Sequence, residues 1–370
     1  MPSSASEAPA PIGPPAAALA PGDRVPNFVL PDQGGAFRAF YERARGNPLA
    51  LVVLADQAAA AELEGAAAST TAREAAGIDL IAISPEETGP LKAIAERLGL
   101  AAPVLSDPKR SITGGLAKAA GLVPAPALWL LLDPNQRLLE ARAGAGLAGW
   151  AVERLIELHR PEPAQCLSSA APVLIVPNVL GRDICRALIE RWERLGHEEG
   201  SVSSIVDGEE VRRIYHGMKK RRDHAIHDEA LLKTLVATIG RRIAPELDKA
   251  FGFGSFRFDR FIVTCYDAER GDYFRRHRDN SSPGTADRRY ALTLNLNSEE
   301  YEGGELLFPE YGPHRYRPGT GGAILFSCSL LHEALPVMRG RRFTLLSFLR
   351  GPERAAALAG GGPRKTANPR

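Results

Sequence analysis

Two residues that can bind a metal ion lie close together in the segment FRRHRDNSSP at 274–283. His277 offers an imidazole and Asp279 a carboxylate, with one arginine between them. On a β-strand, side chains two positions apart point to the same face, so both groups would reach one point. A third donor, His332, stands in the apolar segment SLLHEALPV. Together these residue types predict a mononuclear metal site.

Each of these residues also has a simpler interpretation. His-Arg-Asp occurs in kinase catalytic loops, but the asparagine that such loops require five residues after the aspartate is Gly284 here. No glycine-rich phosphate loop precedes the segment either, so the kinase interpretation fails. A solvated charged turn remains the alternative for His277 and Asp279. For His332 the alternative is a hydrogen-bonded histidine within the core.

An arginine pair follows His332 at the start of the segment RRFTLLSFL. One of Arg341 and Arg342 is expected to point into the interior, where a guanidinium needs an anionic partner. Two histidines and a carboxylate with open coordination positions form the facial triad of non-haem Fe(II) oxygenases. A catalytic zinc would need only one open position, for water. The pattern therefore favours ferrous iron with an acidic cosubstrate.

The elements that must position these residues are short strands. After residue 252, eight apolar segments of strand length alternate with turns rich in Gly, Pro, Asn and Asp. Such a series predicts a barrel or a roll of two sheets. Before it, residues 173–196 combine a strand with an amphipathic helix, and residues 228–252 have a long helical pattern.

The first half of the chain is built differently. Its apolar segments at 49–55, 78–84 and 125–133 predict buried strands, and the segments between them have helical spacing. This alternation predicts a parallel or mixed sheet with helices on its faces.

Three segments rich in Pro, Ala, Ser or Gly bound these two halves. We expect a disordered leader at 1–20, a linker at 161–172 and a disordered tail at 351–370.

Composition excludes several classes of protein. The chain is 44% hydrophobic and 24% charged, with a net charge of +2, which argues against a membrane-spanning or nucleic-acid-binding protein. Its four cysteines include no C-x-x-C pair, and none precedes Cys166, as is typical of a reduced, cytoplasmic compartment.

The one basic cluster, at 212–224, is interpreted either as a solvated loop or as a mouth that attracts an anionic substrate.

Residues 21–160 resemble a thioredoxin-fold domain of the peroxiredoxin kind, through PGDRVPNFVLPDQGG, IDLIAISPEE, LSDPKRSI and LLLDPNQRLLE. Peroxiredoxins carry their attacking cysteine after the strand that corresponds to LALVVLADQ, where this chain has AAAAELEG. Because the thiolate is itself the nucleophile, the resemblance implies the fold without the peroxidase activity. We interpret this domain as a docking or stabilising module, with another binding role as the alternative.

Residues 173–350, with a core at 256–350, resemble Fe(II)- and 2-oxoglutarate-dependent dioxygenases of the prolyl 4-hydroxylase-like group. The matching segments are YDAERGDYFRRHRDN, RRYALTLNLNSEEYEGGELLFPEYG, PGTGGAILFS and HEALPVMRGRRFTL. The resemblance implies a double-stranded β-helix (jelly-roll) with flanking helices. It also implies that His277, Asp279 and His332 bind Fe(II), that O2 is a cosubstrate, and that ascorbate is a candidate cofactor.

The same resemblance assigns the cosubstrate's partners. Arg342, which Phe343 follows, would hold the distal carboxylate of 2-oxoglutarate, and Tyr266 would help to hold it. Asn295 stands where relatives often carry an aromatic residue, so the hydrogen bonding of the cosubstrate is expected to differ here. The substrate class stays open between a peptidyl proline, another protein side chain and a small molecule. The alternative is a non-catalytic sensor of iron or 2-oxoglutarate that uses the first domain as a partner surface.

Overall fold

The computed structural model describes residues 18–56, 60–122, 126–160, 163–206 and 209–351. The predicted leader and tail lie almost entirely outside these residues. The chain divides into two compact units, Met1–Pro163 and Ala164–Arg370. This division falls within the connector that the sequence predicts at 161–172.

The first unit is a central sheet with helices around it. Its strands are β1 (Val29–Pro31), β2 (Phe37–Ala39), β3 (Leu49–Leu54), β4 (Asp79–Ser84), β5 (Val104–Ser106), β6 (Ala127–Leu132) and β7 (Leu138–Gly144). Its helices are α1 (Phe40–Arg43), α2 (Ala60–Ala68), α3 (Thr70–Ala75), α4 (Thr88–Leu98), α5 (Thr113–Ala120) and α6 (Ala148–Leu158).

The central sheet has the strand order β5-β4-β3-β6-β7. Strands β3, β4 and β5 run parallel, whereas β6 and β7 are antiparallel to their neighbours. Every residue of β3 and β6 is buried, because separate apolar clusters cover the two faces of the sheet. The predicted mixed sheet is therefore confirmed.

One carboxylate anchors the start of α5. Asp107 accepts hydrogen bonds from the backbone N–H groups of Ser111, Ile112 and Thr113, at 2.9, 3.0 and 2.9 Å. Burial alone would raise the pKa of Asp107, but these bonds outweigh it and lower the pKa below its ordinary value. The carboxylate thus satisfies donors that the first turn of a helix leaves open.

We expect Asp107→Ala to destabilise the first unit by about 2 kcal/mol, because several buried N–H groups would lose their acceptor. In the full chain, hydrogen exchange of the β3 and β6 amides should accelerate by about 30-fold. Glu96→Ala is the control, since Glu96 is 68% exposed and contacts Lys92 only at 3.9 Å. Equal exchange in the two variants would contradict the anchoring role.

The second unit contains two helices and many short strands. The helices are α7 (Arg182–Leu195) and α8 (Glu229–Phe251). The strands are β8 (Val173–Val176), β9 (Glu198–Glu199), β10 (Val202–Val206), β11 (Glu209–Arg213), β12 (Lys219–Lys220), β13 (Arg222–Ala225), β14 (Arg257–Phe258), β15 (Ile262–Asp267), β16 (Tyr273–His277), β17 (Arg288–Asn295), β18 (Glu302–Gly303), β19 (Leu306–Leu307), β20 (Arg315–Tyr316), β21 (Ala323–Ser327), β22 (His332–Ala334), β23 (Val337–Arg339) and β24 (Arg341–Arg350).

These strands form two main sheets. The larger has the order β8-β21-β17-β24-β15-β13-β9, with β14 paired to β24, and the smaller has the order β12-β16-β22-β19-β20. The predicted roll of two sheets, a jelly-roll with flanking helices, is confirmed. The strands between residues 198 and 225 were not predicted, because they are short and charged and lack an alternating apolar pattern.

The larger sheet buries a different cluster on each face. Leu292 on β17 and Leu325 on β21 belong to the cluster that includes apolar residues of α7 and α8. Their neighbours Ala291 and Phe326 belong to a second cluster, which includes Leu306 and Ala334 of the smaller sheet. Successive side chains of β17 and β21 thus point to opposite faces, and the second cluster lines the space between the two sheets. A site can form in that space. Among the residues described, we find no helix that combines the length and apolar character needed to cross a membrane.

Candidate metal centre

The three predicted metal ligands meet at one end of the space between the sheets. His277 ends β16 and His332 begins β22, and the two residues are direct partners in the antiparallel ladder. Asp279 Oδ1 lies 3.4 Å from His277 Nε2, and Asp279 Oδ2 lies 3.5 Å from His332 Nε2. One donor atom from each residue falls within 4.8 Å of the others.

His277 and Asp279 converge as predicted, but they do not share one strand. Strand β16 ends at His277, and Asp279 lies in the turn that follows. The alternation of a strand therefore does not align the two side chains. Instead, the backbone N–H of Asp279 donates to the carbonyl oxygen of Cys328 at 2.9 Å, which holds the turn against the residues before β22.

Backbone carbonyls orient both imidazoles. His277 Nδ1 lies 2.7 Å from the carbonyl oxygen of Arg275, and His332 Nδ1 lies 3.0 Å from that of Leu330. Because a carbonyl oxygen can only accept, each Nδ1 donates its hydrogen to the backbone, which leaves Nε2 as the ring nitrogen that faces the cluster. Metal-binding histidines are oriented in this way by the hydrogen bond of the second ring nitrogen.

The charges of the cluster also suit a divalent cation. Burial lowers the pKa of His332 to about 4, more than the nearby Asp279 raises it, so this imidazole is neutral at pH 7. Burial alone would raise the pKa of Asp279, but His332 and His277 outweigh it and lower it to about 2. An ionised carboxylate and imidazole nitrogens on one side of a point fit ferrous iron with open positions.

A cavity of about 70 Å³ extends from the cluster toward Arg342. Arg342 is 3% exposed, and its closest hydrogen bond, to Asn295 Oδ1, is long at 3.4 Å. Its Nε has no hydrogen-bond partner, and among the described residues no carboxylate pairs with its guanidinium. A buried cation in this state calls for an anion in the cavity that Arg342 shares with the cluster.

Close packing fixes the Arg342 side chain. Arg342 lies opposite Tyr266 in the β15–β24 ladder, and its guanidinium lies 5.3 Å from the centre of the Tyr266 ring. On its other side, a Cβ at Gly304 would come within 2.9 Å of Arg342 Cδ, and Gly304 has a φ of +68°. Both facts favour glycine at this position.

The neighbouring arginine serves a different purpose. Arg341 is exposed, and its Nη2 forms an ion pair with Glu193 Oε1 at 2.8 Å. Alternation along β24 thus turns Arg342 into the space between the sheets and Arg341 out of it, as the resemblance implies.

Asn295 lies beside Arg342 rather than along the cavity. Its Nδ2 donates to the Pro318 carbonyl oxygen at 3.0 Å, and its Oδ1 faces Arg342. The side chain is therefore placed to orient the arginine, and its role as a direct cosubstrate contact stays a prediction.

Sequence reasoning missed Arg221, which lines the same cavity as Tyr266 and Arg342. Arg221 is 6% exposed, and its Nη1 donates to the Tyr266 hydroxyl at 2.8 Å. The phenol oxygen therefore accepts from Arg221 and keeps its own hydrogen for another acceptor. The basic cluster at 212–224 was the available signal, and burial shows that its solvated-loop interpretation is wrong for Arg221 and for Lys219.

A larger cavity, of about 640 Å³, adjoins the cluster on the outer side. His277 and Asp279 line it together with Lys219, Arg221 and Arg288. Its size is that of a small-molecule site or of a cleft for one side chain.

Comparison with known proteins agrees with both units. Residues 261–350 match the model of the 2OG-Fe(II) oxygenase superfamily, and residues 21–138 match that of the AhpC/TSA family. A PKHD-type hydroxylase of Rhizorhabdus wittichii is 34% identical over 110 residues, which are 29% of this chain and 44% of that protein. The chain therefore spans less than half the length of this relative.

Two further proteins are similar to the second half of the chain. A PKHD-type hydroxylase of Pseudomonas putida is 26% identical over 183 residues, covering 46% of this chain and 75% of that protein. A prolyl-4-hydroxylase crystal structure from Pseudomonas putida is 21% identical, covers 49% of this chain and 94% of that chain, and has a TM-score of 0.38. The two family models confirm both resemblances: residues 21–138 match the AhpC/TSA family, and residues 261–350 that follow match the 2OG-Fe(II) oxygenase superfamily.

Proposed function

We propose that the second unit is an Fe(II)- and 2-oxoglutarate-dependent dioxygenase that hydroxylates its substrate. One observation carries this proposal: the donor atoms of His277, Asp279 and His332 converge at a cavity that Arg342 also lines, and the Arg342 guanidinium has no carboxylate partner among the described residues. When bound, Fe(II) couples the oxidative decarboxylation of 2-oxoglutarate by O2 to hydroxylation of a C–H bond, with release of succinate and carbon dioxide.

The residues of this chain have separate tasks in that reaction. His277, Asp279 and His332 hold the metal and leave its other positions open. Arg342 binds the distal carboxylate of 2-oxoglutarate, and Tyr266 donates its hydroxyl hydrogen to the same group. Arg221 fixes the direction of that hydroxyl by donating to its oxygen. The larger cavity, which His277 and Asp279 line, would admit the primary substrate to the metal site.

The primary substrate is a protein side chain, such as a proline, or a small molecule. The curated relatives named PKHD-type hydroxylases support hydroxylation as the reaction. Ascorbate is retained as a candidate accessory cofactor on the same resemblance.

The first test is spectroscopic. Addition of Fe(II) and then 2-oxoglutarate to the anaerobic full-length protein should produce a visible charge-transfer band, whereas glutarate, which lacks the 2-oxo group, should produce none. Admission of O2 should then yield succinate, even without substrate, at a low rate. No band would overturn the proposal, and a band without succinate would favour the sensor.

The substrate can then be sought by mass spectrometry. Cell extract incubated with the wild-type protein, Fe(II), 2-oxoglutarate and O2 should contain products heavier by one oxygen atom. The same extract incubated with His277→Ala should lack them. Products that appear equally with both proteins would not arise from this site.

A further inference from the structure

A cluster of three charged residues lies at the wall of the larger cavity. Lys219, Arg221 and Asp223 alternate along the chain and share one side. The residues between them face elsewhere: Lys220 contacts the carbonyl oxygen of Arg270, and Arg222 pairs with Asp267 at 2.7 Å. The cavity side of this segment therefore presents two cations and one anion.

The two cations share the single carboxylate. Arg221 Nε donates to Asp223 Oδ1 at 2.8 Å, and its Nη2 donates to Oδ2 at 3.3 Å. Lys219 Nζ lies 3.3 Å from the same Oδ2, and it also donates to the Ser201 carbonyl oxygen at 2.9 Å. Both cations keep N–H donors beyond those engaged. The cluster thus carries one unmatched positive charge together with free hydrogen-bonding capacity.

This charge is buried, so solvent does not compensate for it. Lys219 is 5% exposed and Arg221 is 6% exposed. Burial, with Arg221 adding to it, lowers the pKa of Lys219 to about 8 despite the attraction of Asp223. A buried cation without a matching anion is strongly destabilising, which indicates that an anion completes the cluster in the functional complex.

The cosubstrate does not supply that anion. Under the proposed function, the charges of Fe(II) and Arg342 together match those of Asp279 and the 2-oxoglutarate dianion. The inner cavity is therefore neutral without Lys219 and Arg221. The unmatched charge lies on the side from which the primary substrate enters.

The position of the cluster relates it to the reacting centre. The Phe274 ring stacks on His277 with the ring centres 3.5 Å apart. Lys219 Nζ and the Arg221 guanidinium lie 5.3 and 5.5 Å from the centre of the same ring. A group held by the cluster would thus lie one aromatic ring away from a metal ligand.

We infer that the primary substrate bears a carboxylate and that Lys219 and Arg221 bind it. This inference rests on the proposed function and deepens it. A carboxylate monoanion matches the one positive charge that Asp223 leaves unmatched within the cluster. The carboxylate is either that of a free acid or that of an acidic side chain in a peptide, since both present the same group.

The test compares acids with their amides at saturating 2-oxoglutarate. One pair is N-acetylproline and its amide, and the other is a blocked tripeptide with a central glutamate or glutamine. Each is titrated into the anaerobic complex of full-length protein, Fe(II) and 2-oxoglutarate, and the shift of the visible band is followed. We expect at least one acid to shift the band at concentrations about 10-fold or more below those that its amide requires. The pair that shows this preference identifies the source of the carboxylate.

Two variants test whether the cluster causes the preference for the acid over the amide. Lys219→Met removes the surplus charge and leaves the Arg221–Asp223 pair, so the acid and the amide should become equal to within about twofold. Arg339→Met is the control, because Arg339 is 68% exposed, pairs with Glu302 and lies outside both cavities. This control should keep the wild-type preference. A preference that persists in Lys219→Met would overturn the assignment.

The outcomes separate the two proposals. If the wild-type protein forms no band, the proposed function itself fails. If the band forms but acids and amides act alike, including the case in which neither acts, the carboxylate inference alone is wrong. An acid that displaces 2-oxoglutarate instead of binding beside it would also overturn the inference. The wild-type comparison is decisive even if Lys219→Met does not fold.

Discussion

Replacement of Asp279 by alanine should abolish succinate formation and weaken Fe(II) binding by more than about 100-fold. Loss of a hydrogen-bond partner behind a metal ligand costs 10- to 100-fold in affinity, so loss of a ligand itself should cost more. Asp279 is also the anionic member of the proposed set, and it lies between the two imidazoles. Without it, two neutral nitrogens would have to hold a divalent cation.

The measurement is anaerobic titration with Fe(II), followed by succinate analysis after admission of O2. His332→Ala should behave like Asp279→Ala, because its Nε2 faces the same point. His314→Ala is the matched control, since His314 is exposed and lies outside the cluster. Wild-type iron affinity in Asp279→Ala would refute the proposed ligand set, provided that circular dichroism shows the variant to be folded.

Replacement of Arg342 by methionine should raise the Kd for 2-oxoglutarate by about 100-fold or more, equivalent to about 3 kcal/mol. Methionine keeps much of the apolar stem but removes the counter-charge of the distal carboxylate from the cavity. The affinity for Fe(II) alone should not change, because Arg342 contacts none of the three ligands in the residues described.

The adjacent arginine provides a stringent control. Arg341→Met removes an exposed ion pair with Glu193 and should change the Kd for 2-oxoglutarate by no more than about twofold. A second readout is selectivity against 2-oxobutyrate, which lacks the distal carboxylate. The wild-type protein should strongly prefer 2-oxoglutarate, and Arg342→Met should lose most of that preference. A larger effect of Arg341→Met than of Arg342→Met would show that Arg341 binds the distal carboxylate.

Strands could be predicted from the sequence most clearly where their residues have a clear burial pattern. Strands β3 and β6 are entirely buried and correspond to continuous apolar segments. His332 was identifiable because it is the one imidazole within an apolar segment. Alternation along β24 predicted that one of Arg341 and Arg342 would face the interior, and the resemblance selected Arg342 because Phe343 follows it.

Other features of the site depend on contacts between distant segments. Asp279 reaches the two histidines because its turn is tied to Cys328, and no local pattern specifies that contact. Arg221 reaches Tyr266 because β12 pairs with β16 and β13 pairs with β15. In sequence it is one of several basic residues in a row. Burial of Arg221 and Lys219 follows from strand pairing, which residue type alone does not reveal.

The direct pairing of His277 with His332 has a consequence for biosynthesis. Because these two positions belong to strands that are widely separated along the chain, ribosomes must translate nearly the whole domain before the second imidazole exists. A slip of β22 by one residue against β16 would also turn His332 to the opposite side. Loading with ferrous iron is therefore expected to follow completion of the roll, so that nascent chains do not carry a redox-active ion.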